Sequence, residues 1–267
     1  MTRLADIYLY PLKSARGVRL GSAELDDFGI RYDRRWMVVD EAGDLVTQRE
    51  APRLALVRTT VAGGALTLEA PGRAALELPL DGRGSDGERR RVRVWDDLCD
   101  GADQGDAAAA WISAHLGRSV RIVRMPDDVI RPIEPNVARA EGRVSFADAF
   151  PMLLISQESL DELNRRLPAP LPMNRFRPNV VTTGSAPHAE DHWRRIRIGA
   201  VECVVAKPCA RCMVTTIDPE TALKGAEPLR TLGAYRERNR KVLFGQNVAH
   251  RSRGRITVGD IVETLDG

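Results

Sequence analysis

The amino-acid sequence predicts a mainly β protein with a few helices and a β-barrel-like architecture. Two observations carry that reading. Short runs rich in β-branched residues recur along the chain, separated by turns that contain glycine. Helical patterns are confined to two stretches, so strands do not alternate with helices as a doubly wound sheet requires.

Taken in order, "ADIYLYPLKS" is a short apolar run closed by Pro11. "RRWMVVDEAGDLVTQRE" reads as a hairpin, with "EAGD" as its turn and Thr47 and Gln48 on the second strand. "LALVRTTVAGGALTLEAPG" repeats the pattern around Gly63 and Gly64. "ALELPLDGRGSDGERRRVRVWDD" holds a polar, glycine-rich loop between two strand-like pieces, and the arginine run at 89–91 is expected to be solvated loop. "DQGDAAAAWISAHLG" is made of good helix formers, with Asp106 as the expected cap and Gly117 as the stop. "RIVRMP" reads as a strand. "DDVIRPIEPNVARAEGRVSFADAF" is rich in proline and charge, and a domain boundary is placed near its start, at about residue 125. In "MLLISQESLDELNRRL", Ser156 is a candidate N-cap for a helix whose apolar rhythm runs through Leu160, Leu163 and Leu167. "RPNVVTTG", "WRRIRIGAVECVVAKP", "CMVTTID" and "GRITVGDIVETLD" are strand-like.

Composition bounds the functional classes. The chain has 267 residues, enough to bury a full core in one or two domains. Hydrophobic residues make up 43% and charged residues 29%, as in ordinary globular proteins. A net charge of +3 is too slight to argue for a nucleic-acid polymer as partner. The N-terminus lacks the order of a secretory signal and no apolar run is long enough to span a membrane, so the cytoplasm is the expected setting. Free thiols or metal ligands are then expected for Cys99, Cys203, Cys209 and Cys212, rather than structural disulfides.

Two of those cysteines stand in "VAKPCARCMVTTIDPE". Cys209 and Cys212 have the spacing of half a zinc clip, for which His188 and His192 are the nearest pair of further ligands, although the whole set matches no standard zinc framework. They have the spacing of a thiol–disulfide pair as well, but the strand-like "MVTTID" that follows denies them a helix N-terminus to lower a thiol pKa. In a third reading, one thiolate holds a soft or redox-active metal beside Lys207 and Arg211. Elsewhere, Lys13 and Ser14 follow a strand, Arg31, Arg34 and Arg35 cluster in "RYDRRW", and Arg175 and Arg177 precede "PNVV". Such side chains bind phosphate and carboxylate groups. No Walker loop or dinucleotide fingerprint accompanies them.

Six segments in order, "YPLKSARGV", "GIRYDRRWMVVDEAGDLVTQREAPRLALV", "FADAFPMLLISQESLDELNRRL", "NRFRPNVVTTG", "CARCMVTTIDPET" and "FGQN", resemble the MOSC-domain proteins that carry an N-terminal MOSC β-barrel module, the group that includes the amidoxime-reducing components and their bacterial relatives. The resemblance covers nearly the whole chain. It implies an N-terminal module over residues 1–125 packed against a MOSC β-barrel domain over 126–267. It also implies a molybdenum cofactor (a molybdenum-bearing pyranopterin) with Cys212 as the protein ligand and Asp148 near the metal. Lys13, Ser14, Arg34, Arg177 and Asn179 are implied as cofactor contacts, and Cys209 as a neighbour. Arg35 and Arg175 depart from residues found in some relatives, and "DPETALKG" lacks a glycine frequent after the threonine. Pyridoxal phosphate binding is carried with the family as a further expectation. The chain contains no iron–sulfur cysteine set, so the implied electron source is a separate protein: a ferredoxin, a flavoprotein reductase or a b5-type cytochrome. The implied substrate is a small N-hydroxylated compound. The alternative from another class is a sulfur carrier that acts through a Cys212 persulfide in metal–sulfur or cofactor assembly.

Overall fold

Burial along the first strand shows how the sequence enters the fold. Leu4, Ile7 and Leu9 are buried in Arg3–Leu9, a spacing of three and then two. A register shift between Leu4 and Asp6 absorbs the extra residue and returns the apolar side chains to one face. This computed structural model describes residues 1–81, 88–134 and 142–265.

The largest sheet has nine strands. Across it the order is Val262–Thr264, Arg195–Ile198, Val201–Ala210, Lys241–His250, Met152–Ser156, Val180–Thr183, Arg3–Leu9 and Val18–Leu20, with Glu237–Arg238 paired off that path to Lys241–His250. The two N-terminal strands are therefore laid into a sheet otherwise built from the second half of the chain. Arg3–Leu9 runs antiparallel to Val180–Thr183, and Met152–Ser156 runs parallel to it after a crossover through the helix Gln157–Asn164. The exchange is mutual, because Gly254–Thr257 pairs with Ser22–Asp26 near the N-terminus. A four-stranded sheet orders Trp36–Val39, Arg121–Arg124, Asp97–Asp103 and Arg89–Val94, and a three-stranded one orders Arg58–Ala62, Ala65–Glu69 and Leu76–Pro79. Three α-helices, Gly105–Leu116, Gln157–Asn164 and Leu229–Arg236, complete the described residues. The fold is mainly β, as expected; the third helix was not anticipated.

Local signals held where the chemistry is local. Gly63 and Gly64 take positive φ and turn Arg58–Ala62 into Ala65–Glu69. The Ser156 side chain accepts the Ser159 amide at 3.1 Å and caps its helix. That helix stops at Asn164, short of Leu167, because the Asn164 side chain bonds both the N–H and the carbonyl of Leu171 and closes a loop instead. Gly117 ends the first helix in the left-handed conformation, but Asp106 does not cap its start. The Asp106 carboxylate pairs with Arg121 at 2.8 Å, and Asp103 accepts the Gly105 amide.

Further expectations are overturned. Thr47 and Gln48 are not on a strand: the return from Trp36–Val39 is an isolated bridge between Val39 and Leu45, and Thr47 then turns, its N–H and hydroxyl both donating to the Glu50 carboxylate. Arg89–Arg91 are not loop; they open the strand Arg89–Val94, where acids on neighbouring segments, Asp128, Asp103 and Asp100, take the three guanidiniums. The glycine-rich stretch before them, 82–87, and residues 135–141 of the proline-rich loop lie outside the described residues. "MVTT" is not a strand either. Met213–Thr216 is a 3-10 turn, because Thr215 Oγ1 donates to the Cys212 carbonyl (2.9 Å) and Thr216 Oγ1 to the Met213 carbonyl (2.8 Å). The hydroxyls close a tight turn that β-branching alone argues against.

The "FGQN" segment is fixed by packing. Gly245 has φ +78°, and a Cβ there would stand 2.8 Å from the Leu154 carbonyl oxygen and 2.6 Å from Ile155 Cγ1. Gly245→Ala is expected to destabilise the protein by about 2–4 kcal/mol, the sum of left-handed strain and overpacking. Chemical denaturation measures it.

Candidate functional site

Cys212 stands where the ten-residue strand Val201–Ala210 gives way to the 3-10 turn, with extended backbone angles of φ −123° and ψ 178°. It is half-buried, as is Cys209, and both line a cleft with a cavity of about 150 Å³. The Arg211 guanidinium lies between them in sequence. It donates to Cys209 Sγ at 3.0 Å and to the Phe176 carbonyl at 2.6 Å, while its Nε is buried without a partner. All four cysteines are free thiols. Among the described residues no three His, Cys, Asp or Glu side chains converge as a metal site, so the zinc-clip reading finds no support. His188 packs instead beside the rings of Tyr235 and Phe244.

The opposite wall comes from the N-terminal part of the chain. Lys13 is buried, its amide held by the Trp36 carbonyl at 2.8 Å. Its ammonium donates to the Phe146 carbonyl at 2.7 Å and to Asp148 Oδ1 at 2.5 Å. Ser14 follows at φ 70°, its carbonyl fixed by the buried Gln48 amide at 2.6 Å. Asp148 accepts from Trp95 Nε1 as well, at 3.0 Å, so it is a receptor for two donors and not a helix cap. The cleft partly desolvates Asp148 although its side chain is exposed, and the Lys13 ammonium and the two hydrogen bonds outweigh this and hold the carboxyl well below the usual carboxylate range. Burial lowers the Lys13 pKa, and Asp148 only partly restores it.

Arg34 and Arg177 meet over one aromatic plate. Each guanidinium carbon lies 4.4 Å from the ring centroid of the fully buried Tyr10. Arg34 donates to Asp33 and, at 2.7 Å, to Asn179 Oδ1. Asn179 also accepts the Leu153 amide and donates to Asp33 Oδ1 and to the Tyr8 carbonyl. Its hydrogen-bonding capacity is thus full, and it acts on the cleft through Arg34. Arg177 spends one donor on the Ala15 carbonyl at 2.5 Å. Burial pushes its pKa down to about 10. Ser14, Arg34 and Arg177 all hold positive φ, so three candidate contacts sit on strained backbone, a pattern common at functional sites.

All seven candidate residues, Lys13, Ser14, Arg34, Asp148, Arg177, Asn179 and Cys212, line this one cleft. Arg35 and Arg175 do not: Arg35 is buried against Phe28 and Met125, and Arg175 pairs with Asp218. Sequence reasoning missed Trp95, Arg49, Tyr10 and Asp33; the last three stand inside segments that carry the resemblance, but their spacing assigns them no role. Arg49 stacks on Trp95 with its guanidinium carbon 4.3 Å from the ring centroid. The lining therefore holds five cations, Lys13, Arg34, Arg49, Arg177 and Arg211, against one carboxylate, Asp148. Arg49, Arg177 and Arg211 have no carboxylate partner among the described residues. Half-buried charge without a counter-charge is costly, and an anionic ligand relieves it. Spare guanidinium donors beside a thiol suit a phosphate-bearing cofactor whose metal takes a cysteine ligand. Pyridoxal phosphate gains no such support, because the cleft's one lysine, Lys13, is committed to Asp148 and Phe146.

Removing the ammonium tests the electrostatics. In Lys13→Met, the Asp148 pKa is expected to rise, since its main counter-charge is gone. Carboxyl-carbon NMR titration reads the shift. Because the pKa is depressed in the fold, the pairing stabilises the wild type above the unfolded carboxylate pKa, and that contribution is lost as pH falls toward the folded value. The Asp148 side chain is 70% exposed, so the effect on stability is small.

Comparison with known proteins identifies the family. The MOSC N-terminal beta barrel domain matches residues 1–119 and the MOSC domain residues 141–263. Mitochondrial amidoxime-reducing component 1 of Mus musculus is 36% identical over 280 residues, covering 98% of this chain and 82% of that protein. Its Homo sapiens counterpart gives the same identity and coverage. Among solved structures, a Bordetella bronchiseptica protein determined in solution is 34% identical over 39% of this chain and 86% of its own, with a TM-score of 0.32, too loose a superposition to compare folds. The chain belongs to the MOSC-domain family that contains the amidoxime-reducing components.

Proposed function

We propose that this protein reduces small N-hydroxylated compounds, using a molybdenum cofactor held in the cleft and electrons from a separate redox protein. The observation that carries the reading is the set of guanidiniums without counter-charge, Arg49, Arg177 and Arg211, around a half-buried thiol at Cys212. The names of the relatives support the substrate class.

In this reading Cys212 is the protein ligand to the metal. Arg34 and Arg177, fixed by Tyr10 and Asn179, neutralise the phosphate and pterin end together with Lys13 and Ser14. Bound there, the cofactor supplies a two-electron centre for removing the oxygen of an N–O bond. For an amidoxime the balance is substrate plus two electrons and two protons to amidine plus water. The electrons come from the external donor, a ferredoxin, a flavoprotein reductase or a b5-type cytochrome. Protons pass through the polar end of the cleft, where the Lys13 ammonium, made easier to deprotonate by burial, faces the Asp148 carboxylate. A persulfide on Cys212 brings a single negative charge to three unpaired guanidiniums, whereas a phosphate-bearing cofactor brings more, which favours the resident cofactor.

Protein made in a host competent for molybdenum cofactor synthesis is expected to hold molybdenum near one per chain. Cys212→Ser is expected to lose it and Cys209→Ser to keep most of it, by elemental and pterin analysis; full retention in Cys212→Ser removes the ligand assignment. Anaerobic addition of benzamidoxime to the dye-reduced, metal-loaded protein is expected to reoxidise it and yield benzamidine. No reoxidation removes the reductase reading.

A further inference from the structure

Trp95 is an unusual residue in an unusual place. The strands Arg89–Val94 and Asp97–Asp103 pair through Val94 and Asp97, leaving Trp95 and Asp96 as a two-residue turn. Trp95 holds φ +57°, a left-handed conformation that such turns normally give to glycine, asparagine or aspartate. Nothing in the hairpin requires a large aromatic side chain there, and it is 39% exposed. The indole nevertheless has a defined seat. Its N–H donates to Asp148, Arg49 stacks on its ring, and it lines the cleft that also holds Cys212. A strained backbone that persists while carrying an exposed aromatic into a cleft points to a function for the ring.

We infer that Trp95 is a specificity residue, the wall against which a flat substrate lies. The inference rests on the proposed reductase activity and names the substrates within it: N-hydroxylated compounds whose C=N–OH group is conjugated to an aromatic ring. Arg49 takes part of the ring surface, the Lys13 ammonium lies 5.8 Å from its centroid and Asp148 clamps its edge, so the exposed remainder of the indole has little freedom left to lose on binding. A planar ring gains by stacking there, and a small aliphatic amidoxime does not.

The test uses molybdenum-loaded holoenzyme with dithionite-reduced dye as electron source, and two probes, benzamidoxime and acetamidoxime. The readout is the ratio of their kcat/KM values. Trp95→Leu is expected to lower the preference for benzamidoxime about tenfold, chiefly through KM. Trp95→Phe, which keeps a ring face but loses the N–H to Asp148, is expected to retain most of the preference. Trp95→Gly relieves the left-handed backbone, so its melting temperature is expected to match or exceed that of the wild type while the preference is lost; this separates misfolding from loss of the wall. Binding is read without turnover by tryptophan fluorescence, which benzamidoxime is expected to quench in wild type and not in Trp95→Leu. An unchanged ratio in Trp95→Leu, or an equal loss in Trp95→Phe, overturns the assignment and leaves the reductase reading standing. If wild-type holoenzyme reduces neither probe, the reductase reading falls and takes the assignment with it.

Discussion

The bond from Arg34 to Asn179 is the joint on which the cleft depends. Arg34 belongs to the loop that leads into the N-terminal four-stranded sheet, and Asn179 precedes the strand Val180–Thr183 of the large sheet. Asp33, buried to 1% exposure, accepts from both residues and from the Tyr10 amide. Burial raises the Asp33 pKa against the pull of Arg34, so the carboxylate depends on this network for its charge. Removing one member leaves an uncompensated charge between the two halves and frees the guanidinium that the cleft requires. Tyr10 adds a plane that keeps Arg34 and Arg177 at a common distance. The arrangement is built before any ligand arrives, which is what binding an anion at low entropic cost demands.

The site is asymmetric in charge for a physical reason. Arg34 is held by Asp33, and Lys13 by Asp148, so these two cations are stable without a ligand. Arg49, Arg177 and Arg211 are held by ring faces, backbone carbonyls and a sulfur, which orient a guanidinium without cancelling its charge. The paired cations shape the cleft, and the others leave it with a net positive field.

The legibility of the sequence follows the range of the forces involved. Gly63–Gly64 and the Ser156 cap were readable because each is decided within four residues. The 3-10 turn after Cys212 was not, since two threonine hydroxyls reverse the preference of a β-branched run. Arg89–Arg91 look like loop in isolation; acids from other segments make them strand. Spacing alone did not bring Lys13, Ser14, Arg34, Asp148, Arg177, Asn179 and Cys212 together. Their grouping came from resemblance, and the structure places them in one cleft because the N-terminal strands cross into the later sheet. Trp95, Arg49 and Tyr10 stayed silent because their partners are distant in sequence or their role is only to hold another side chain.

That crossing has a consequence for how the protein is made. Arg3–Leu9 leaves the ribosome well before its partner Val180–Thr183 is synthesised. Val18–Leu20 is an early neighbour on one edge, but the other edge of the strand waits until Val180–Thr183 has emerged. The pocket between the halves exists only once the segments from Lys13 to Asn247 that line it have emerged. Any bulky prosthetic group therefore finds its place only after both walls of the cleft have been made.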